Sequence, residues 1–329
     1  MTHVIEELSP PGEVLAEFYP AGMKQATILD GGKVNTTYKV TDSRGEPSIL
    51  QRLGQSTDPA MSEDYAVVAG HLERAGWEVA IPLHTAREEL IVVDEAGRNW
   101  RSYSYIESDQ CPPPDDMTSL TAFAKMLGSL SFSLSSLEYA PQHSIPNFHD
   151  AGHIVEHLIS QLPDMTSPDQ HFSGILIDYL SEEEPIQPGN VVIHGDPKLA
   201  NALFRNGEPF TMVDWDTLMK GNPMLDLADM LRSITGKLRE TPANVDANTL
   251  VPLIRAYQEE AGIPETVRSE HVDEAITATR AMCLMLSIRY MSDTVDKSYF
   301  EWDPSSYPDA PTHNRTQARW QLENFQALR

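Results

Sequence analysis

The sequence predicts an α+β chain of two lobes: an N-terminal antiparallel five-stranded sheet with one helix, then a mainly helical C-terminal lobe. Three observations predict it. Short β-type runs separated by turn clusters fill residues 1–108, an acidic and proline-rich stretch interrupts the chain at 109–116, and long helical patterns dominate 117–329. These ranges are the expected N-terminal lobe, linker and C-terminal lobe.

In the first lobe, strand signals run up to Leu29, over Thr36 to Val40 and over Ser48 to Leu53, separated by the turn clusters "DGG" and "SRGEP". Residues 58–76 begin with Asp-Pro, repeat apolar side chains at Tyr65, Val68 and Leu72, and stop at Gly76, which predicts the lobe's helix. "ELIVVD" and "NWRSYSYIE" flank the turn "EAGR" and complete the sheet. "DQCPPPDD" continues neither a strand nor a helix, because proline lacks the N–H that both ladders use. Beyond it, six segments carry apolar residues at helical spacing: "TSLTAFAKMLGSLSFSLSSL", "HDAGHIVEHLISQL", "HFSGILIDYLSEEE", "NPMLDLADMLRSIT", "ANTLVPLIRAYQEEAG" and the run 265–292. β character returns only in "NVVIH", "NALFRN" and "PFTMVDW".

Composition narrows the function classes. With 24 Lys+Arg against 49 Asp+Glu the net charge is −25, which disfavours a nucleic-acid partner and suits a solubility surface or a salt-adapted source. Cys111 and Cys283 stand far apart with no C-x-x-C spacing, so neither a disulfide framework nor a zinc site is expected. "MTHVIEELSPPGEVLAEF" has no basic n-region and no apolar h-region, and no stretch reaches the ~18 apolar residues of a membrane helix. A soluble, cytoplasmic protein with no membrane partner is expected.

The densest chemistry lies in "HGDPKLANALF", residues 194–204. A His, then an Asp, then an Asn five residues later, at the end of an apolar run, is an order that phosphotransferases use. The Asp accepts the proton of an attacking hydroxyl and the Asn reaches a magnesium ion. Asp196 and Asn201 converge on one small volume only if "PKLA" forms a tight loop, in which Lys198 would point toward the transferring phosphoryl group. Eighteen residues after Asp196, Asp214 in "FTMVDWD" again stands where an apolar strand meets a loop, placed to share the ion with Asn201. His194 is read as a packing residue, and Asp226 as a helix N-terminal carboxylate that braces the loop.

A phosphotransferase also needs a nucleotide cradle. In "DGGKVNTTY", Gly31 and Gly32 let a hairpin backbone approach phosphates, with Asn35 beside them. Arg52 on the third strand takes the place of the lysine of protein kinases, and Glu63, ahead of Asp64, is the expected acid to orient it. Backbone groups around Tyr105 to Glu107 are expected at the adenine.

With these parts in order, the chain resembles the aminoglycoside-phosphotransferase and choline-kinase superfamily, and within it N-acetylhexosamine 1-kinases. "GGKVNTTY", "ILQRLG", "SIPNFHD", "IHGDPKLANALF", "VDWDTLMKGNPMLDLADMLR", "IRYMSDTVDKSYF" and "HNRTQARWQL" carry the resemblance over nearly the whole chain. It implies a bilobal protein-kinase-like fold and ATP-dependent phosphorylation of the anomeric hydroxyl of an N-acetylhexosamine. Asp196 would be the base and Asn201 and Asp214 the Mg²⁺ ligands. Lys33, Gly195 and Trp215 depart from the residues relatives tend to carry. The acceptor site is expected beyond the metal: Arg289 and Asp293 would present a fork and an acceptor from one helix face, and His149 and Asp150 would either join that site or start a helix. The rival readings are a kinase for another sugar or for an amine-bearing alcohol, such as an aminoglycoside or choline, and a non-catalytic pseudokinase scaffold.

Overall fold

Alternation along two strands sets the sheet of the first unit. In β2 (Thr36–Asp42) Tyr38 and Val40 are buried, and in β3 (Pro47–Arg52) Ser48 and Leu50 are; the register pairs Tyr38 with Leu50 and Val40 with Ser48. One face therefore carries the apolar side chains, as a half-buried antiparallel sheet requires. β1 (Met23–Leu29) pairs with β2 and β6 (Asn99–Ser104) with β3, while β4 (Pro82–Leu83) and β5 (Ile91–Val93) both pair with β6, all antiparallel. Tyr38, Val40, Leu50 and Trp100 pack with Val14 of α1 (Gly12–Phe18) and with Tyr19. The helix α2 (Met61–Arg74) buries Tyr65, Val68, Ala69 and Leu72.

The structure is a computed structural model describing residues 9–29, 35–54, 57–109, 116–241 and 245–329. The chain divides into two compact units, residues 1–107 and 108–329. The α+β class is as expected, with two differences in the first unit. Its sheet has six strands rather than five, because β4 is two residues long and too short to show any alternation. It also has a second helix, α1, whose single buried side chain, Val14, leaves no periodic signal.

The second unit is built of helices that start at side-chain caps. Asp116, Asp150, Thr166, Asn222, Asp246 and Asp309 each accept a backbone N–H of the first turn of α3 (Met117–Ser135), α4 (Ala151–Gln161), α5 (Ser167–Glu182), α6 (Pro223–Arg239), α7 (Ala247–Glu260) and α9 (Ala310–Ala327). The remaining helix, α8 (Arg268–Asp296), is central: its Cys283, Leu284, Ile288 and Met291 are buried with Leu158, Leu176 and Phe325. Two small antiparallel pairs are set among the helices, β7 (Val191–Ile193) with β10 (Met219–Gly221), and β8 (Ala202–Arg205) with β9 (Glu208–Met212). Sequence reading misses β10, a three-residue strand, and α9, which buries His313, Asn314, Gln321 and Asn324 and so looks polar. Among the described residues no helix is long and apolar enough to cross a membrane.

Candidate active site

Strand β7 delivers the chain to a turn that only glycine fits well. Gly195 has φ +85°, and a Cβ there would collide with the carbonyl oxygen of Thr217. On either side of it the loop is pinned. Asp226, in the first turn of α6, accepts the His194 N–H on Oδ2 and the Gly195 N–H on Oδ1, both at 2.8 Å. Burial pushes the Asp226 carboxyl up to about 7, with the two N–H donors pulling the other way. The Thr217 hydroxyl donates to the His194 carbonyl at 2.9 Å.

His194 is fully buried and its tautomer follows from its partners. Nε2–H donates to the Val213 carbonyl at 3.1 Å, and Nδ1 accepts the Asp196 N–H at 3.3 Å. Burial brings the imidazole down to about 4, so it is neutral at physiological pH. Its ring lies 4.5 Å from that of Trp215. The side chain packs and orients, and Asp196 is the group that it positions.

The Asp196 carboxylate takes the Lys198 ammonium and, at 3.3 Å, the Asn201 amide, whose Nδ2 also donates to the Asp196 carbonyl at 2.9 Å. "PKLA" is indeed tight: Leu199–Asn201 form one 3-10 turn, and Leu199 N–H is held by Ser233 of α6 at 3.1 Å. Lys198 is thus engaged with Asp196, which raises the ammonium's affinity for its proton against the opposing effect of burial. Burial raises the Asp196 carboxyl to about 7; Lys198 works against that, and Asp229 and Asp214 add to it.

Asp214 follows β9 as an exposed residue in the left-handed region, φ 67°. A non-glycine residue at positive φ is held by its surroundings and marks a site worth reading functionally. The Val213 N–H donates to the Asn201 carbonyl at 2.9 Å, bringing the two candidate metal ligands to neighbouring backbone positions. Among the described residues no three His, Cys, Asp or Glu side chains group as a metal cluster. One carboxylate and one amide oxygen still suit Mg²⁺, which keeps waters and takes phosphate oxygens as further ligands.

The residues expected at the nucleotide fall in the first unit. Gly31 and Gly32 lie outside the described residues. Asn35 is buried and its Oδ1 accepts the Gly54 N–H (2.9 Å) and the Thr57 hydroxyl (3.3 Å), so it ties the end of β3 to the start of α2. Arg52 donates to the Thr36 hydroxyl at 2.8 Å. Glu63 is exposed, whereas Asp64 beside it is 3% exposed, so the carboxylate carried into the packed face of α2 is Asp64. Tyr105 is half-buried with the Lys39 ammonium 3.7 Å above its ring, and Glu107 is exposed.

Of the expected acceptor residues, the second unit brings two together with Asp196. A partly open cavity, about 370 Å³ counting its mouth, is lined by Phe148, His149, Asp196, Asp229, Arg232 and Arg289 over an apolar floor that includes Met282 and Met285. His149 donates from Nε2 to the Gly195 carbonyl at 2.6 Å, and burial lowers its proton affinity. Asp150 is exposed and caps α4 through the His153 N–H at 2.9 Å. Asp293 does not pair with Arg289 to face a ligand. It is 3% exposed, and its two oxygens are filled by the N–H groups of Ser298, Tyr299 and Phe300 and the Asn314 amide. Its work is to fold the segment after α8.

Two lining residues escaped sequence reading. Arg232 Nε donates to Asp229 Oδ1 at 2.7 Å, a buried pair one turn apart on α6. Although burial opposes it, the guanidinium holds Asp229 below the usual carboxylate range, while its Oδ2 is buried with no hydrogen-bond partner. The available signal was an acid and an arginine at i, i+3 inside the apolar face of "LADMLR".

This arrangement is that of a phosphotransferase fold, and comparison with known proteins agrees. The model of the phosphotransferase enzyme family matches residues 25–266, and the chain belongs to that family. Among solved structures, the amicoumacin kinase hAmiN in complex with AMP-PNP, Ca²⁺ and Ami is 16% identical, covers 95% of this chain and 92% of its own, and superposes with a TM-score of 0.65. An aminoglycoside phosphotransferase from Alicyclobacillus acidocaldarius is 15% identical over 99% of this chain and 96% of its own, TM-score 0.61. A choline/ethanolamine kinase family protein from Mesorhizobium loti is 18% identical over 92% of each chain, TM-score 0.56. At these identities the likeness is one of fold.

Proposed function

We propose that the protein transfers the γ-phosphate of ATP to the anomeric hydroxyl of an N-acetylhexosamine, with Asp196 as base. The observation that carries the reading is the presentation of Asp196: its carboxylate lines a cavity, on a loop braced from below by Asp226, beside Asn201. In the reaction the acceptor oxygen bonds to the γ-phosphorus and the bond from that phosphorus to the β–γ bridging oxygen breaks. The hydroxyl proton passes to Asp196, and ADP leaves. Lys198, paired with Asp196 in this structure, supplies positive charge next to the transferring group.

Mg²⁺ bound by Asn201 Oδ1 and the Asp214 carboxylate would neutralise phosphate charge during transfer. Arg52, oriented by Thr36, and the backbone around Gly31 and Gly32 are proposed for the phosphates, with Tyr105 and Glu107 near the base. Asp64, as the buried carboxylate of α2, is a better candidate than Glu63 for orienting a cation. The likeness to N-acetylhexosamine 1-kinases in "SIPNFHD" and "IRYMSDTVDKSYF" supports the acceptor. ADP release with ATP and Mg²⁺ against N-acetylglucosamine, N-acetylgalactosamine, plain hexoses, choline and kanamycin, each against an acceptor-free blank, tests it. Release dependent on the N-acetylhexosamines is the expected result; release with choline or kanamycin alone would replace the substrate.

A further inference from the structure

Among the described residues, one cation of the cavity beside Asp196 has neither a hydrogen-bond nor a carboxylate partner. The Arg289 guanidinium stacks over the rings of Phe148 at 4.5 Å, Tyr299 at 4.6 Å and Phe300 at 5.9 Å, and among the described residues it has no hydrogen-bond or carboxylate partner. Ring stacking engages the faces of a guanidinium and leaves its N–H edge, a planar fork of donors, to be satisfied by something else. The fork is also held in place. Asp293 gathers the N–H groups of Ser298, Tyr299 and Phe300, and Phe300 stacks on Tyr290 with centroids 3.9 Å apart, so the rings that clamp Arg289 are fixed by the fold.

Two cations at or beside the cavity have carboxylate partners, Arg232 on Asp229 and Lys198 on Asp196, whereas Arg289 in the cavity wall has none among the described residues. A cationic acceptor entering here would meet the like charge of the Arg289 guanidinium at close range. The chain's overall −25 does not reverse this, because exposed charges beyond about 8 Å are screened at physiological salt. An oxygen with lone pairs would complete the fork, and the orphaned Asp229 Oδ2 offers a place for a hydroxyl or amide N–H next to it.

We infer that Arg289 is the residue that selects the acceptor by charge. It takes a carbonyl or carboxylate oxygen of a neutral or anionic hydroxyl compound, and it excludes amine-bearing acceptors. The inference rests on the reading of Asp196 as base and goes beyond it, since that reading alone admits cationic acceptors.

The test uses acceptors matched on one hexose scaffold: N-acetylglucosamine for the amide carbonyl, glucuronic acid for the carboxylate and glucosamine for the ammonium. The wild-type protein and the Arg289→Gln, Arg289→Lys and Arg289→Glu variants are compared by kcat/KM, with KM for ATP and Tm as controls of nucleotide binding and folding. The wild type should prefer the amide or the uronate over the amine at least tenfold. Arg289→Gln should lose most of that preference through the acceptor KM, Arg289→Lys should keep part of it, and Arg289→Glu should invert it, all with KM for ATP unchanged. Which of the two oxygen acceptors is preferred identifies the group that the fork reads. A wild-type preference for glucosamine, or a ranking that Arg289→Glu leaves untouched, overturns the inference while the kinase reading stands. Absence of turnover with every hydroxyl compound overturns both.

Discussion

Asp226 grips the backbone on both sides of the His194 Cα, one carboxylate oxygen to the His194 N–H and the other to the Gly195 N–H, each at 2.8 Å. The first turn of α6 thereby fixes the loop that presents Asp196 without touching Asp196 itself. Asp226→Ala leaves two buried N–H donors unmet, each worth about 1–3 kcal/mol. The expected outcome is a fall in stability of that order per donor and a loss of kcat with little change in KM for ATP. Denaturant unfolding and steady-state kinetics check it, and the isosteric Asp226→Asn should show the smaller effect.

Gly195 makes a second prediction about the same loop. Its positive φ costs an L-residue about 1–2 kcal/mol, and the Thr217 carbonyl occupies the space of a Cβ. Gly195→Ala should lower stability by more than the backbone term alone and reduce turnover at least tenfold. Because the collision is with backbone, Thr217→Ala should not rescue the double variant, which thermal melts and kcat measure together.

Asp293 was expected to face a ligand and instead organises the segment carrying Tyr299 and Phe300. Asp293→Asn removes one of its acceptor oxygens and should loosen the rings around Arg289. The expected signature is a lower Tm and a raised KM for the acceptor, with KM for ATP preserved.

Buried His194 predicts how stability depends on pH. Its folded value is depressed to about 4, against about 6.5 in an unfolded chain. Above the unfolded value both states are neutral and the term vanishes. As pH falls from about 6.5 toward 4 the unfolded state takes up a proton that the folded state refuses, so stability declines by up to about 1.4 kcal/mol per pH unit. The integrated loss is on the order of 3 kcal/mol, and it stops growing below the folded value. His149, also lowered by burial, acts in the same direction. Asp196 and Asp226, both raised to about 7, act in the opposite direction over the same window. The His194 term is therefore the difference between wild type and His194→Gln in unfolding free energies measured at several pH values, and that difference should grow as pH falls from about 6.5 toward 4.

How much was legible from sequence follows from where the information sits. Asp196 and Asp214 stood out as candidates because each follows an apolar strand, β7 or β9, and strand-to-loop junctions show in hydrophobic patterning, while Asn201 was placed by its five-residue spacing from Asp196. The brace by Asp226 was legible as a carboxylate opening a helix. The role of Asp293 was not, because helical spacing gives the face shared with Arg289 but not the N–H donors that return from residues 298–300. Helix α9 was hidden because its buried side is lined with His313, Asn314, Gln321 and Asn324, whose burial depends on tertiary hydrogen bonds such as that from Asn314 to Asp293. Asp229 and Arg232 were not singled out, because their pairing depends on packing that buries them together.

We propose that Asp196 accepts the proton as phosphate passes from ATP to a sugar hydroxyl. Phosphorus NMR of ATP, Mg²⁺ and N-acetylglucosamine with the wild type and Asp196→Asn tests it most directly. A new sugar 1-phosphate resonance should grow with ADP in the wild type, and grow at least a hundredfold more slowly in the variant, with ATP binding retained. A variant that forms the product at near wild-type rate would contradict it, as would wild-type protein that binds ATP yet transfers no phosphate to the sugar.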